Sequence, residues 1–164
     1  MRIENKVELC ASKDLTRPNL TGVYLDVAKR RAVAMDGHMM AIVPADILDG
    51  EVSGLVGPEA LKSIRKTGMH GDASKPDAIA LPNGSTAPRA RLDFPPYEQV
   101  IPSYKPGDHN TITIGLNADL LAKLQRAIGA ETVTLTFPAK NGMLDPIVVN
   151  AGKEAFGVIM PCST

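Results

Sequence analysis

Asp36, Gly37 and His38 set a carboxylate and an imidazole two residues apart, between the apolar runs "RRAVAM" and "MMAIVP". Such a pair can act as acid and base when a nucleophile and a substrate pocket stand beside it. The same triplet can be a hairpin turn with a solvent-facing histidine, or one wall of a binding surface. The sequence has no nucleophile elbow and no second histidine at helical spacing, and His70 and His109 fall in loop-like stretches. No catalytic residue is therefore expected, and an Asp-His hydrolase is the weakest of the three readings.

Cys10 and Cys162 stand near opposite ends of the chain in apolar contexts, a spacing that offers no metal site. Buried, reduced thiols in a cytosolic protein are expected, with no metal and no cofactor. Lysine plus arginine equals aspartate plus glutamate at 18 each, which excludes a global field drawing in nucleic acid. Any basic surface must be local, and two candidates exist. Lys62, Arg65 and Lys66 recur at i, i+3 and i+4, which makes one exposed basic patch on a helix. Lys123 and Arg126 form the corresponding pair further on. No segment approaches the roughly 20 apolar residues of a membrane span. The opening "MRIENKVEL" also lacks the apolar region of a secretory leader. A soluble, cytoplasmic protein with no membrane partner is expected.

Two helices must carry those cations. "VGPEALKSIRKTG" places Pro58 at a first helical position and Gly68 past the end, with Leu61 and Ile64 as a short apolar stripe. "GLNADLLAKLQRAIGA" has Asn117 as cap, Asp119 in the first turn and Gly129 after the last. Leu120, Leu121, Leu124, Ala127 and Ile128 share its buried face. Most other segments read as strands: "KVELCAS", "GVYLDV", "RRAVAM", "HMMAIVP", "SGLVG", "DAIALP", "APRARLDF", "NTITIG", "ETVTLTFP", "PIVVNA" and "AFGVIMP". "TGMHGDASKPDA" and "SYKPGDHN" read as loops. Only 4% of the residues are aromatic and none is Trp, so the core must be built from Val, Ile, Leu, Ala and Met. A weak repeat runs strand, helix, then strands ending in an apolar-apolar-Pro run. Three such units are read, and the first (6–44) lacks a helix because "SKDLTRPN" leaves no room for one.

The stretches "RPNLTGVYLD", "AVAMDGHMMAIVP", "FPPYEQVIP" and "VIMP", in that order, resemble the bacterial β sliding clamp, the processivity subunit of the replicative DNA polymerase. The resemblance implies an α+β, DNA-clamp-like fold: antiparallel sheets with two amphipathic helices on one side. It pairs residues 1–106, like the clamp's middle domain without its first helix, with a C-terminal strand-helix-strands unit at 107–164, either separate or merged into one domain. It further implies a hydrophobic pocket for short peptides of polymerases and repair proteins, carried here by Leu20, Met35, Gly37, His38, Met39, Pro95, Val100, Val158 and Met160. Two positions depart from the pattern: Met35 replaces a threonine and Met39 an arginine. Clamp helices face DNA, which makes Lys62, Arg65, Lys66, Lys123 and Arg126 candidates for sequence-independent phosphate contacts. Against this, Pro58 and Glu59 stand where the family has a basic pair.

The function implied is a non-catalytic replication or repair accessory that docks client peptides and tracks or encircles double-stranded DNA. The alternative is a decoy or adaptor that keeps the pocket but never encircles DNA. Half a domain left over, together with unblocked end strands, points to a homo-oligomer joined by sheet extension.

Overall fold

A computed structural model of the chain describes residues 1–101, 113–127, 129, 131–136, 145–150 and 155–162. The chain divides into two compact units, Met1–Ile101 and Pro102–Thr164. The "SYKPGDHN" loop, Ile128 and the first half of "NTITIG" lie outside the described residues.

The first unit is built on β1 (Val23–Asp26), β2 (Arg31–Met35), β3 (Met40–Pro44), β4 (Gly54–Val56), β5 (Ala78–Ala80) and β6 (Thr86–Ala90). They form an antiparallel sheet in the order β3-β2-β1-β4-β6-β5. Helix α1 (Pro58–Thr67) follows β4. Val23, Leu25, Ala32 and Ala34 join Ala60, Leu61 and Ile64 of α1 in one core. The small alanines let helix and sheet approach closely, which suits a core without tryptophan. Leu55, Tyr24, Val33 and Ile42 are successive cross-strand partners, alternating with the core residues and so lying on the face away from α1.

Helix α1 starts at Pro58 and stops where Gly68 takes φ 68°, its N–H returning to the Ile64 and Arg65 carbonyls. Two segments read as strands depart from that reading: the described part of "NTITIG" makes only an isolated bridge at Gly115, and Val7–Cys10 is a 3₁₀ turn. Glu8 is buried there because its carboxylate grips Arg65 of α1 through bonds of 2.6 and 2.7 Å, while Leu9 is turned out to solvent. A charged pair 57 residues apart overrides the local alternation.

Two further buried polar groups tie the unit together. The Glu51 carboxylate accepts the Leu48 and Ala73 backbone N–H groups and the Met1 nitrogen. The Arg89 guanidinium donates to the carbonyls of Ala73, Lys75 and Val52. Burial pulls that guanidinium below its ordinary value, and the Glu51 carboxylate opposes the shift.

The second unit contains α2 (Ala118–Ala127) and a three-stranded antiparallel sheet of β7 (Thr134–Thr136), β8 (Ile147–Asn150) and β9 (Phe156–Ile159). The Asn117 side chain caps α2 through the Asp119 and Leu120 N–H groups, as its sequence predicts. Ile147, Val149 and Ile159 form a small core against Leu121 and Leu124. Gly157 makes this packing possible: a Cβ there would stand 2.5 Å from a Leu124 methyl. Of the two cysteines, Cys10 is half-buried and Cys162 is exposed, which corrects the expectation that both are buried. Cys162 follows β9 at a single bridge to Gly115, beyond the reach of the small core.

Candidate functional site

The Asp36-Gly37-His38 triplet closes the β2–β3 hairpin, just beyond the Met35–Met40 pair. Asp36 Oδ1 accepts the His38 N–H at 2.8 Å and the Met39 N–H at 3.0 Å. Gly37 takes φ 96°, a backbone conformation that glycine adopts without strain. The two backbone donors hold the Asp36 carboxyl below its ordinary range. The carboxylate therefore builds the turn and makes no bond to the imidazole. Asp36 and His38 thus do not form the hydrogen-bonded dyad that acid–base chemistry would need.

Next to this turn lies an open concavity of about 430 Å³, lined by Leu9, Ala11, Ser12, Lys13, Asp14, Arg17, Asp36, His38 and Met39. The Arg17 guanidinium lies 3.2 Å from the place a Cβ on Gly37 would occupy. Met39, which follows the turn, is 50% exposed. Among the residues implied by the resemblance, His38 and Met39 line this concavity, Gly37 shapes its edge, Met35 is half-buried in β2 and Leu20 is buried.

Pro95 and Val100 lie on a separate segment laid across the outer face of the sheet. Phe94 stacks on Tyr24, with ring centroids 5.1 Å apart and planes within 4°. The Tyr97 hydroxyl donates to the Asp26 carboxylate at 2.7 Å, and Lys29 pairs with Glu98. Burial and the neighbouring Asp26 carboxylate push the Tyr97 phenol up to about 12. This strap holds Pro95 half-buried and leaves Val100 exposed.

Within the second unit, Val158 and Phe156 point away from α2, while Gly157 and Ile159 face it. With Met160 just beyond the strand, they leave three large apolar side chains exposed at alternate positions.

The basic residues fare differently from one another. Arg65 is held by Glu8 and also donates to the Asn5 carbonyl, so it is not part of an exposed patch. Lys62 pairs with Glu59 at 2.7 Å. Lys66 and Lys123 have no partner among the described residues and are exposed, and Arg126 caps the Ala122 carbonyl from an exposed position. Only part of the expected α1 patch therefore carries unpaired positive charge.

Sequence reasoning missed Leu9, Lys13 and Arg17 as neighbours of the hairpin turn. Arg17 had a signal, since it opens the "RPNLTG" motif. Leu9 had none, because the strand reading gave it no reason to face outward. Among the described residues, no group of three or more His, Cys, Asp or Glu side chains could hold a metal, and no helix is long and apolar enough to cross a membrane.

No protein-family model and no curated protein matches the chain. Solved structures do. A DNA polymerase sliding clamp from Caulobacter crescentus is 23% identical with a TM-score of 0.62, over 95% of this chain and 45% of the clamp. The β chain of DNA polymerase III from Streptococcus pneumoniae is 16% identical with a TM-score of 0.65, over 96% of this chain and 45% of the other. The polymerase β subunit of Streptococcus pyogenes is 15% identical at 0.64, over 96% and 46%. The fold is clamp-like: α+β, with antiparallel sheets and two helices. The chain spans less than half the length of those clamps.

Proposed function

We propose, with the clamp-like fold as premise, that this chain is a non-catalytic accessory of DNA replication or repair that docks short client peptides beside the Asp36–His38 turn. The observation that supports this most is Met39, an exposed thioether beside a turn that Asp36 and Gly37 hold in one shape. A preformed turn lowers the ordering cost of binding, and a flexible thioether adapts to varied apolar anchors. In the second unit, exposed Val158 and Met160 stand at positions to which the resemblance gives the same work.

The test is a fluorescence titration of the whole chain with a labelled peptide carrying a Leu-Phe pair. Binding should be modest, and Met39→Asp should abolish it without lowering the melting temperature. Equal binding by wild type and variant would remove the assignment.

A second reading is sequence-independent contact with double-stranded DNA, favoured by exposed Lys66, Lys123 and Arg126 on the two helices. Few phosphates can be neutralised by one chain, so retention on DNA calls for several copies acting together. A homo-oligomer joined by sheet edges would supply them. Sedimentation with and without circular DNA decides between this and the adaptor reading. A strict monomer in both would leave peptide docking as the whole function.

A further inference from the structure

The concavity beside the hairpin turn has a hydrogen-bonding imbalance. Both of its carboxylates already accept hydrogen bonds from within. Asp14 Oδ1 accepts the Thr16 N–H at 2.9 Å and the Thr16 hydroxyl at 2.7 Å, and Oδ2 lies 3.5 Å from Arg17 Nε. Asp36 accepts the two N–H groups of its own turn. The donors are not balanced in the same way. Lys13 has no partner among the described residues, the His38 ring meets the Asp36 charge without a hydrogen bond, and Arg17 lies 3.5 Å from Asp14 at Nε, with no hydrogen bond from its terminal nitrogens among the described residues. Apolar surface flanks these donors, with Leu9 70% and Met39 50% exposed. The unmet demand is for acceptor atoms next to an apolar group.

We propose that this concavity, which reaches onto the 9–17 segment, docks a short acidic segment of a partner protein. A carboxylate of the partner pairs with Lys13 and the free edge of Arg17. An aliphatic or aromatic side chain beside it covers Leu9 and Met39. A nucleic-acid backbone fits less well: Lys13 and Arg17 can meet a single partner carboxylate, whereas Asp14 and Asp36 beside them offset the positive charge that a run of phosphates would need. The proposal rests on the peptide-docking reading and gives the client its chemistry.

The experiment titrates the whole chain with two labelled octapeptides that share a Leu-Phe pair, one with two flanking Asp and the other with Asn in their place. At low salt the Asp peptide should bind about three- to tenfold tighter, as exposed charge pairs allow, and the difference should shrink at high salt. Lys13→Glu, at an exposed position, should erase the preference while the melting temperature holds. Equal binding of the two peptides overturns the acidic partner and leaves peptide docking standing. Binding of neither overturns both readings. A preference that survives Lys13→Glu overturns the assignment to this concavity, as does displacement of the peptide by duplex DNA.

Discussion

Glu8 and Arg65 are joined by two hydrogen bonds of 2.6 and 2.7 Å, a bidentate pair between the N-terminal 3₁₀ turn and helix α1. The Glu8 side chain is only 4% exposed, so the pair is largely screened from water. It fastens the segment that covers β2 and β3 to the helix that covers the rest of the sheet.

Removing that pair should cost stability with a defined pH signature. The bonds from Arg65 hold the Glu8 carboxyl below its ordinary value of 4.5. A lowered folded-state pKa means the contribution is present above the unfolded value and lost as pH falls through the folded one. Glu8→Gln should lower stability by about 2 kcal/mol near neutral pH. Below about pH 4.5 the gap between variant and wild type should close. Chemical denaturation across pH 3 to 7 checks this, and a gap constant with pH would refute it.

Arg65 and Lys66 are adjacent in sequence yet should behave oppositely. Arg65→Gln should lower the melting temperature and leave the salt dependence of any DNA association unchanged, because its charge is already paired. Lys66→Gln should leave melting unchanged and reduce the salt slope by about one. The reverse pattern would restore Arg65 to the DNA surface.

Tyr97→Phe removes the hydroxyl that meets Asp26 in a buried contact. The loss should be about 1–3 kcal/mol, since the Asp26 carboxylate keeps fewer donors. The Tyr97 phenol is raised, so its contribution is whole below about pH 10 and fades as pH rises towards about 12. Tyrosinate absorbance should show a late step from Tyr97, and that step should vanish in the variant.

Gly37→Ala tests the turn directly. A side chain at φ 96° is strained, and its Cβ would come 3.2 Å from the Arg17 guanidinium. A loss of about 1–2 kcal/mol is expected, with weaker peptide binding. Calorimetry paired with the fluorescence titration measures both, and unchanged binding would separate the turn from the docking surface.

Gly157→Ala should push Leu124 off β9 and destabilise the second unit by about 1–3 kcal/mol. Leu124→Ala alone should also destabilise it, by opening a cavity. The double variant should be better than the sum of the two, since the alanine methyl occupies space that Leu124 vacates. Strict additivity would mean that the two residues do not share this contact.

Local chemistry in the sequence was enough to determine the two helices and most of the strands. Pro58, Gly68 and Asn117 mark helix ends through backbone hydrogen bonds made within a few residues. Alternation in "GVYLDV" and "RRAVAM" sorts side chains to the two faces of a sheet whatever the neighbours are. The "DGH" turn was legible for the same reason, because the Asp36 carboxylate accepts only from the His38 and Met39 N–H groups, two and three residues on. The resemblance to clamps depended on the order of such motifs and anticipated the fold.

Other features depended on partners distant in sequence, and only the tertiary structure decided them. "KVELCAS" alternates like a strand, but Arg65, 57 residues away, draws Glu8 inward and leaves Leu9 outside. The same bond removed one cation from a patch that helical spacing had led one to expect as wholly exposed. Lys13 and Arg17 came beside the hairpin turn because the 9–17 segment folds back there, and no periodicity in an irregular loop encodes that return. Local bonds are written in local sequence; the burial of a charge depends on which distant group arrives to neutralise it.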